Sequence, residues 1–526
     1  MKIFVDTDVL IDLADPNSHN GELADIVNNV TDFSFWISAA SISCIINRYS
    51  DLRNPDKIRD CLNYIHENFS IIPMRHSIFN EALEKNDEDF EVQIQIASAE
   101  AFKMDCIVTY NVGRYISTYI QIVTPVMFMK KIKSEYFDTT NNVPFIDLKV
   151  QQHQIYNEID DRITDIITNT GFILGKHVDE FEERFAEFQE AKFCLGVSSG
   201  TDALHIALMT LGIGHGDAVI VPVNTFIATA EAVSLCGAVP VFVDCDKYFN
   251  VDVKKAREIL RQRADGTEKQ KVRKSEDQEI RWAVRAIIPV HLYGQPVNMD
   301  EIMALADEYN LMVVEDCCQA HMAKWKDKSV GNFGAFGAFS FYPGKNLGAY
   351  GEAGALITND KSLYLKAKMI RQHGEIERYI HKVIGHNYRM EAIQGAVLST
   401  KLKYLKEWTN KRKKNAQLYT EILSEIDGIQ TPKELDETNC VYHLYVIQTE
   451  NRDGLQDYLQ QNGISTGLHY PIPLHLQEAY SDFKYQPGDF SAAEKTARRI
   501  LSLPMYPELN EKQIRYVCNK IKEFNN

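Results

Sequence analysis

The stretch Leu311-Met312-Val313-Val314-Glu315-Asp316 is an apolar run that ends in two acids. An apolar run without polar alternation is the pattern of a strand buried on both faces, as in parallel sheets flanked by helices. Three earlier runs have the same character: Ala218-Val219-Ile220-Val221, Val239-Pro240-Val241-Phe242-Val243 and Ala286-Ile287-Ile288-Pro289-Val290, with helical patterns between them. Alternating strands and helices predict an α/β fold with a large, mostly parallel sheet. Open sheets of this kind bind ligands beyond the carboxyl ends of their strands. Asp316 is therefore a candidate functional acid as well as a candidate loop or N-cap residue.

Two other stretches supply complementary chemistry. Leu195-Gly196-Val197-Ser198-Ser199-Gly200-Thr201-Asp202 leads into a helical pattern with Ala203, Leu204, Ala207, Leu208 and Leu211 on one face. Alone it is a well-capped helix start, but its free N–H groups and positive dipole end also suit a phosphate. Phe339-Ser340-Phe341-Tyr342-Pro343-Gly344-Lys345-Asn346 is a strand followed by a turn that presents a lysine. An amine, a carboxylate and a helix N-terminus together are the parts of a pyridoxal phosphate site: the lysine for the covalent link and proton transfer, the acid for the pyridinium nitrogen, the helix for the phosphate.

Composition bounds the alternatives. The 526 residues predict three or four folding units. Fifty-seven basic against seventy-three acidic residues, a net charge of −16, argue against nucleic acid as a general partner. The ten cysteines lie scattered without a CxxC pair, which favours a reducing, cytoplasmic compartment over a disulfide framework or a zinc site. Asp6 comes too early for a signal peptide, and the apolar stretch 218–243 is interrupted by Asn224, Glu231 and two prolines, so no membrane span is expected.

Residues 1–133 read as a small α/β domain, opening on Ile3-Phe4-Val5 and closing on Cys106-Ile107-Val108-Thr109. Residues 134–143 read as a polar linker, 144–389 as a large domain with an N-terminal arm, and 390–526 as a smaller α+β domain. Within the last, Lys401 to Lys414 and Ala492 to Ile500 read as helices and Tyr442 to Ile447 as a strand. Arg261 to Arg281, more than half charged and without apolar period, reads as a solvated insertion.

From Pro144 to about Pro507 the sequence resembles the DegT/DnrJ/EryC1/StrS sugar aminotransferases, of pyridoxal-phosphate fold type I. The resemblance rests on Ser199-Gly200-Thr201-Asp202-Ala203-Leu204, Pro222 to Thr229, Pro289-Val290-His291-Leu292-Tyr293-Gly294-Gln295, Glu315 to His321, Phe339 to Gly348, Gly385 to Met390 and His469-Tyr470-Pro471. It implies Lys345 as the Schiff-base lysine, Asp316 as partner of the pyridine nitrogen and Gln319 beside the ring hydroxyl. It further implies Gly200, Thr201 and Ser340 on the phosphate, Phe226 stacked on the ring, and Asn387 reaching the phosphate of the other subunit of a homodimer with shared sites. No metal is implied. His469 and Tyr470 are candidate substrate contacts, ahead of His291, His321 and His475. The branch it most resembles acts on nucleotide-linked sugars, converting a dTDP-3-keto-6-deoxyhexose to the 3-amino-3,6-dideoxy sugar with an amino acid donor, glutamate, for surface polysaccharide or glycan synthesis. Two departures stand near the ring: Cys317 and Cys318 where the family has small residues, and Met322 where it has Gly. A sugar dehydratase of the same fold would carry histidine at position 345, where this chain has Lys345.

Residues 1–130 resemble the PIN family of metal-dependent ribonucleases, through Phe4 to Asp12, Ile37 to Ser43, Asp89-Phe90-Glu91 and Ile107 to Asn111. Such nucleases converge several carboxylates on divalent metal. Here Asp6 remains, while the other expected acids fall at or near Cys44, on Val92 and on Arg114-Tyr115. The degenerate set favours an inert or scaffolding module over the rival reading, an RNA-binding or ribonuclease protein with an aminotransferase-like body.

Overall fold

The computed structural model of the chain describes all residues except 15–22, 25–26, 28–32, 51–54, 86–88, 116–117, 130–141, 265–281 and 526. It divides into two compact units, one of Met1–Thr140 with Asp147–Glu158 and one of Asn141–Ile146 with Ile159–Asn526. The expected linker therefore lies almost wholly outside the described residues, as does the charged insertion beyond Ala264. The start of that insertion is helical: Arg261 and Arg263 form the last turn of the helix Val253–Ala264, where cations suit the negative end of the dipole.

The first unit is built on five parallel strands, β1 (Lys2–Val5), β2 (Ser34–Ser38), β3 (Ser70–Ile72), β4 (Cys106–Val108) and β5 (Gln121–Val123), in the order β3-β2-β1-β4-β5. Alternate residues of β1 feed two cores. Ile3 and Val5 face Leu10, Phe35 and Phe128, while Phe4 faces Trp36, Ile96 and Ile107. Asp147–Glu158, assigned to the large domain from sequence, clusters with this unit, and its Tyr156 ring meets Trp36 edge-on at 5.1 Å.

The second unit carries a seven-stranded sheet: β6 (Phe193–Val197), β7 (Asp217–Pro222), β8 (Val239–Val243), β9 (Ala283–Ile287), β10 (Met312–Asp316), β11 (Phe336–Ser340) and β12 (Gly354–Thr358). Their order is β6-β12-β11-β10-β9-β7-β8, and β12 alone runs against its neighbours. β9 begins and ends three residues before the expected stretch, because Pro289 has no N–H for the ladder and its carbonyl instead accepts Asp316 N–H at 2.9 Å. Helices bury the sheet on both faces; Gly200–Thr210 contributes Leu204, Ala207 and Leu208 to one core, and Met299–Tyr309 contributes Ile302 and Leu305 to another. β12 passes close under the turn before Gly200–Thr210, so close that a Cβ on Gly354 would lie 2.2 Å from the Ser199 carbonyl oxygen.

The chain's last part has its own core around an antiparallel pair, Tyr445–Gln448 with Ile500–Leu503, covered by Leu405–Leu423, Arg452–Gln461 and Glu511–Asn525. The single helix expected over Lys401 to Lys414 is two, Ala392–Leu402 and Leu405–Leu423. Lys403 N–H and Tyr404 N–H turn back to Thr400 and Lys401 carbonyls, and the Tyr404 ring stacks on Trp408 at the junction. Among the described residues no helix is long and apolar enough to cross a membrane.

Candidate active site

The carboxyl ends of β7, β10 and β11 meet the N-terminus of the helix Gly200–Thr210 around a pocket of about 570 Å³. Ser199 caps that helix, accepting Asp202 N–H at 3.1 Å, and the Ser198 hydroxyl donates to the Asp202 carboxylate at 2.6 Å. The next residue must be glycine: a Cβ on Gly200 would stand 2.6 Å from Ser340 Cβ and 2.9 Å from Cys318 Sγ. Its absence leaves the first N–H groups of the helix and the end of β11 around one small space. Helix N–H groups gathered in this way suit a phosphate.

Asp316 ends β10 buried at 5% exposure. Thr229 donates its hydroxyl to Asp316 Oδ2 at 2.8 Å and Cys318 N–H donates to Oδ1 at 3.1 Å, so each carboxylate oxygen accepts a hydrogen bond that fixes its orientation. Lys345 sits on the loop after β11, which folds back tightly. Lys345 N–H reaches Tyr342 O at 2.8 Å, Ala349 N–H reaches Phe341 O at 2.8 Å, and a Cβ on Gly348 would overlap Pro343 O at 2.2 Å. Burial holds the Lys345 amine below its ordinary pKa, against the raising influence of Cys318 and Asp316. An amine that gives up its proton easily can act as nucleophile and as base.

Gln319 is held at both ends, its Oε1 accepting Tyr293 N–H at 2.7 Å and its Nε2 donating to the Tyr470 hydroxyl at 3.1 Å. Tyr470 also meets the Phe226 ring at 5.4 Å. His469 Nδ1 pairs with Ser502 Oγ at 2.9 Å and its carbonyl accepts the Tyr293 hydroxyl. Burial, then the Lys345 charge, pushes the His469 imidazole down to about 4. Gly200, Thr201, Phe226, Asp316, Gln319, Ser340, Lys345, His469 and Tyr470 all line this one pocket. Asn387 does not: it is exposed, with its Oδ1 accepting Arg389 Nε at 3.0 Å.

Sequence reasoning missed Thr229, whose i, i+4 spacing from Thr225 in Thr225-Phe226-Ile227-Ala228-Thr229 was the available signal; the two hydroxyls pair at 2.9 Å. It also missed His443, buried in the pocket wall with Nδ1 3.3 Å from Asn346 Oδ1. His321 donates from Nε2 to Ser340 O at 2.9 Å and His475 pairs with Glu494 at 3.0 Å, both structural roles. Met322, at the family's glycine position, adopts φ 74, the left-handed region that favours glycine.

His291, Glu315 and Cys317 form the one cluster of potential metal ligands among the described residues. Its atoms are already committed. Val297 N–H donates to His291 Nδ1 at 3.0 Å, so the proton lies on Nε2, which faces Glu315 Oε2 at 3.3 Å. Burial and the adjacent carboxylates keep the Cys317 thiol well above its ordinary pKa, hence protonated and a poor ligand.

In the first unit the degenerate positions are tied up by hydrogen bonds. Asp6 is buried at the end of β1 and accepts the Thr109 hydroxyl at 2.6 Å. Arg114 pairs with Asp89 at 2.5 Å, and Tyr115 donates to Gln95 Oε1 at 2.9 Å. Burial, then the Glu91 carboxylate, pushes the Cys44 thiol up to about 11. Val92 is buried in the apolar core.

A seven-stranded, mostly parallel sheet with an amine, a carboxylate and a helix N-terminus converging at its carboxyl edge is the architecture of an aminotransferase. The chain belongs to the DegT/DnrJ/EryC1/StrS aminotransferase family, whose model matches residues 153–522. It is 43% identical over 386 residues to a pleiotropic regulatory protein of Geobacillus stearothermophilus, covering 73% of this chain and 98% of that one. It is 37% identical over 383 residues to the dTDP-3-amino-3,6-dideoxy-alpha-D-galactopyranose transaminase of Aneurinibacillus thermoaerophilus, covering 73% and 99%. Among solved structures, S. venezuelae DesV in complex with a ketimine intermediate superposes with TM-score 0.68 at 38% identity, over 73% of this chain and 99% of that one. NtdA of Bacillus subtilis with bound cofactor PMP gives TM-score 0.64 at 27% identity, over 79% and 95%. These aminotransferases depend on pyridoxal phosphate, as the PMP in that neighbour illustrates.

Proposed function

We propose that this protein is a pyridoxal phosphate-dependent transaminase that moves an amino group from an amino acid, glutamate, to a nucleotide-linked keto-deoxysugar, a dTDP-3-keto-6-deoxyhexose giving the 3-amino-3,6-dideoxy sugar. The observation that carries this reading is the convergence of Lys345, Asp316 and the Gly200 cradle on one pocket. When bound, pyridoxal phosphate supplies a conjugated ring that accepts electrons from the carbon being deprotonated. Asp316, held in place by the Thr229 hydroxyl and Cys318 N–H, would keep a proton on the ring nitrogen. Gly200, Thr201 and Ser340 would hold the phosphate, Phe226 and Tyr470 would bound the ring and substrate space, and Lys345 Nζ would carry the proton between the two carbons. The 3-amino-sugar relative supports the substrate class, and ten scattered cysteines without a CxxC pair support a reducing compartment such as the cytoplasm. The direct test supplies glutamate and the 3-keto sugar nucleotide to the purified protein. Stoichiometric 2-oxoglutarate and amino sugar are expected, and no product with any nucleotide-linked keto sugar would overturn the reading.

The same reading includes a homodimer with shared sites. Asn387 is exposed and does not line the pocket of its own chain, and near it in sequence Tyr379 is 77% and Ile384 89% exposed. Mixing inactive Lys345→Ala subunits with Asn387→Ala subunits should rebuild one intact site per mixed dimer, roughly a quarter of wild-type activity at equal mixing. Mixed dimers that show no rebuilt activity would count against shared sites.

The first unit fits a PIN-like module whose nuclease chemistry has been lost. Asp6 is engaged by Thr109, and Arg114 holds Asp89 and would repel a divalent ion. Full-length protein is expected to show no manganese-dependent cleavage of RNA. Cleavage abolished by Asp6→Ala would make the chain bifunctional.

A further inference from the structure

A second cleft, of about 960 Å³, shares no lining residue with the cofactor pocket. Its walls are the loop after β8, the N-terminus of the helix Val253–Ala264, the loop 429–435 and the helix Ser491–Arg499. In a chain of net charge −16, six cations line it: Lys247, Lys254, Lys255, Lys433, Lys495 and Arg499. Three carboxylates also line it, and each is engaged locally. Asp246 accepts Tyr248 N–H at 2.8 Å and Asn250 N–H at 3.0 Å. Asp252 caps the helix through Lys254 N–H at 3.0 Å, and Glu301 accepts Asn298 Nδ2 at 3.0 Å.

The cations are less committed. Lys255 is bound to buried Asp244 at 2.6 Å and Arg499 to Glu450 at 2.5 Å, whereas Lys247, Lys254, Lys433 and Lys495 make no ion pair among the described residues. Like charges gathered in a concave site focus a positive potential that attracts an anion. The lining also offers apolar side chains, Phe249, Val251, Val297 and Ile429, and amides such as Asn250 and Gln430. Cations together with apolar and amide side chains in one cleft fit a ligand that joins phosphates to a flat ring.

We infer that this cleft is a second binding site, separate from the cofactor pocket, for a nucleoside diphosphate. The phosphates lie among Lys433, Lys495 and Lys254, and the base lies against those apolar side chains. The Phe249 ring meets Tyr293 edge-on at 5.4 Å, and Tyr293 in turn holds Gln319 and the His469 carbonyl, so an occupant lies two side chains from the cofactor pocket.

The test is equilibrium dialysis of the full-length, cofactor-loaded protein with thymidine diphosphate, and in a parallel arm with inorganic pyrophosphate. Wild type should bind two nucleotides per chain, one at the proposed sugar-nucleotide site and one in the cleft. Lys433→Glu/Lys495→Glu, which alters only exposed side chains, should keep the thermal midpoint and lose one of the two, with affinity at least ten-fold weaker. One nucleotide per wild-type chain and none in the variant would leave the cleft assigned while removing the sugar-nucleotide reading. Equal stoichiometry and affinity in both proteins, or pyrophosphate bound as tightly as the nucleotide, would overturn the inference.

Discussion

Replacing Lys345 with alanine is expected to lower transamination by about 10⁴-fold or more and to remove the absorbance of lysine-bound cofactor. Among the described residues no other lysine lines the pocket. The cofactor itself should still bind, because the Gly200 cradle and Asp316 are untouched, so cofactor content and activity separate in this variant. Asp316→Asn gives a complementary result. Cofactor stays attached to Lys345, but the neutral amide cannot hold a proton on the ring nitrogen, and turnover falls by orders of magnitude. Wild-type rates in Lys345→Ala would remove the assignment of this pocket as the reacting centre.

What the sequence made legible was chemistry tied to strand ends. Asp316 ends an apolar strand, Lys345 sits on the turn that follows one, and Gly200 opens a helix, so local pattern was enough to bring them forward. Thr229 and His443 were not legible in this way, because each acts through a partner distant in the chain, Asp316 and Asn346 respectively. The break near Lys403 was hidden because its signal is tertiary. Lys401 and Leu402 are buried at the helix end, with Lys401 Nζ donating to Gly348 O at 2.8 Å, and charge periodicity alone ran through the junction. The same holds for Asp147–Glu158, whose polar helical pattern gives no sign of which unit its aromatic residue joins.

Glu315→Ala is expected to destabilise the second unit by roughly 3–5 kcal/mol, although Glu315 does not line the pocket. Its carboxylate is wholly buried and accepts Gly331 N–H at 2.7 Å, Phe333 N–H at 2.7 Å and Gly334 N–H at 2.8 Å, with His291 Nε2 at 3.3 Å. Those three amides belong to the turn that leads into β11, so the acid ties the start of one central strand to the end of the next. Removing it orphans all three donors, of which Gly331 N–H is buried. Glu315→Gln keeps one oxygen for two of the amides but turns an NH2 group toward Gly331 N–H or His291 Nε2–H, donor against donor, and should lose about 1–3 kcal/mol. Asp316 follows directly, so loosening this turn should also weaken cofactor retention. Urea unfolding followed by the loss of cofactor absorbance measures both effects, and an alanine variant within 1 kcal/mol of wild type would show that the turn is held by something else.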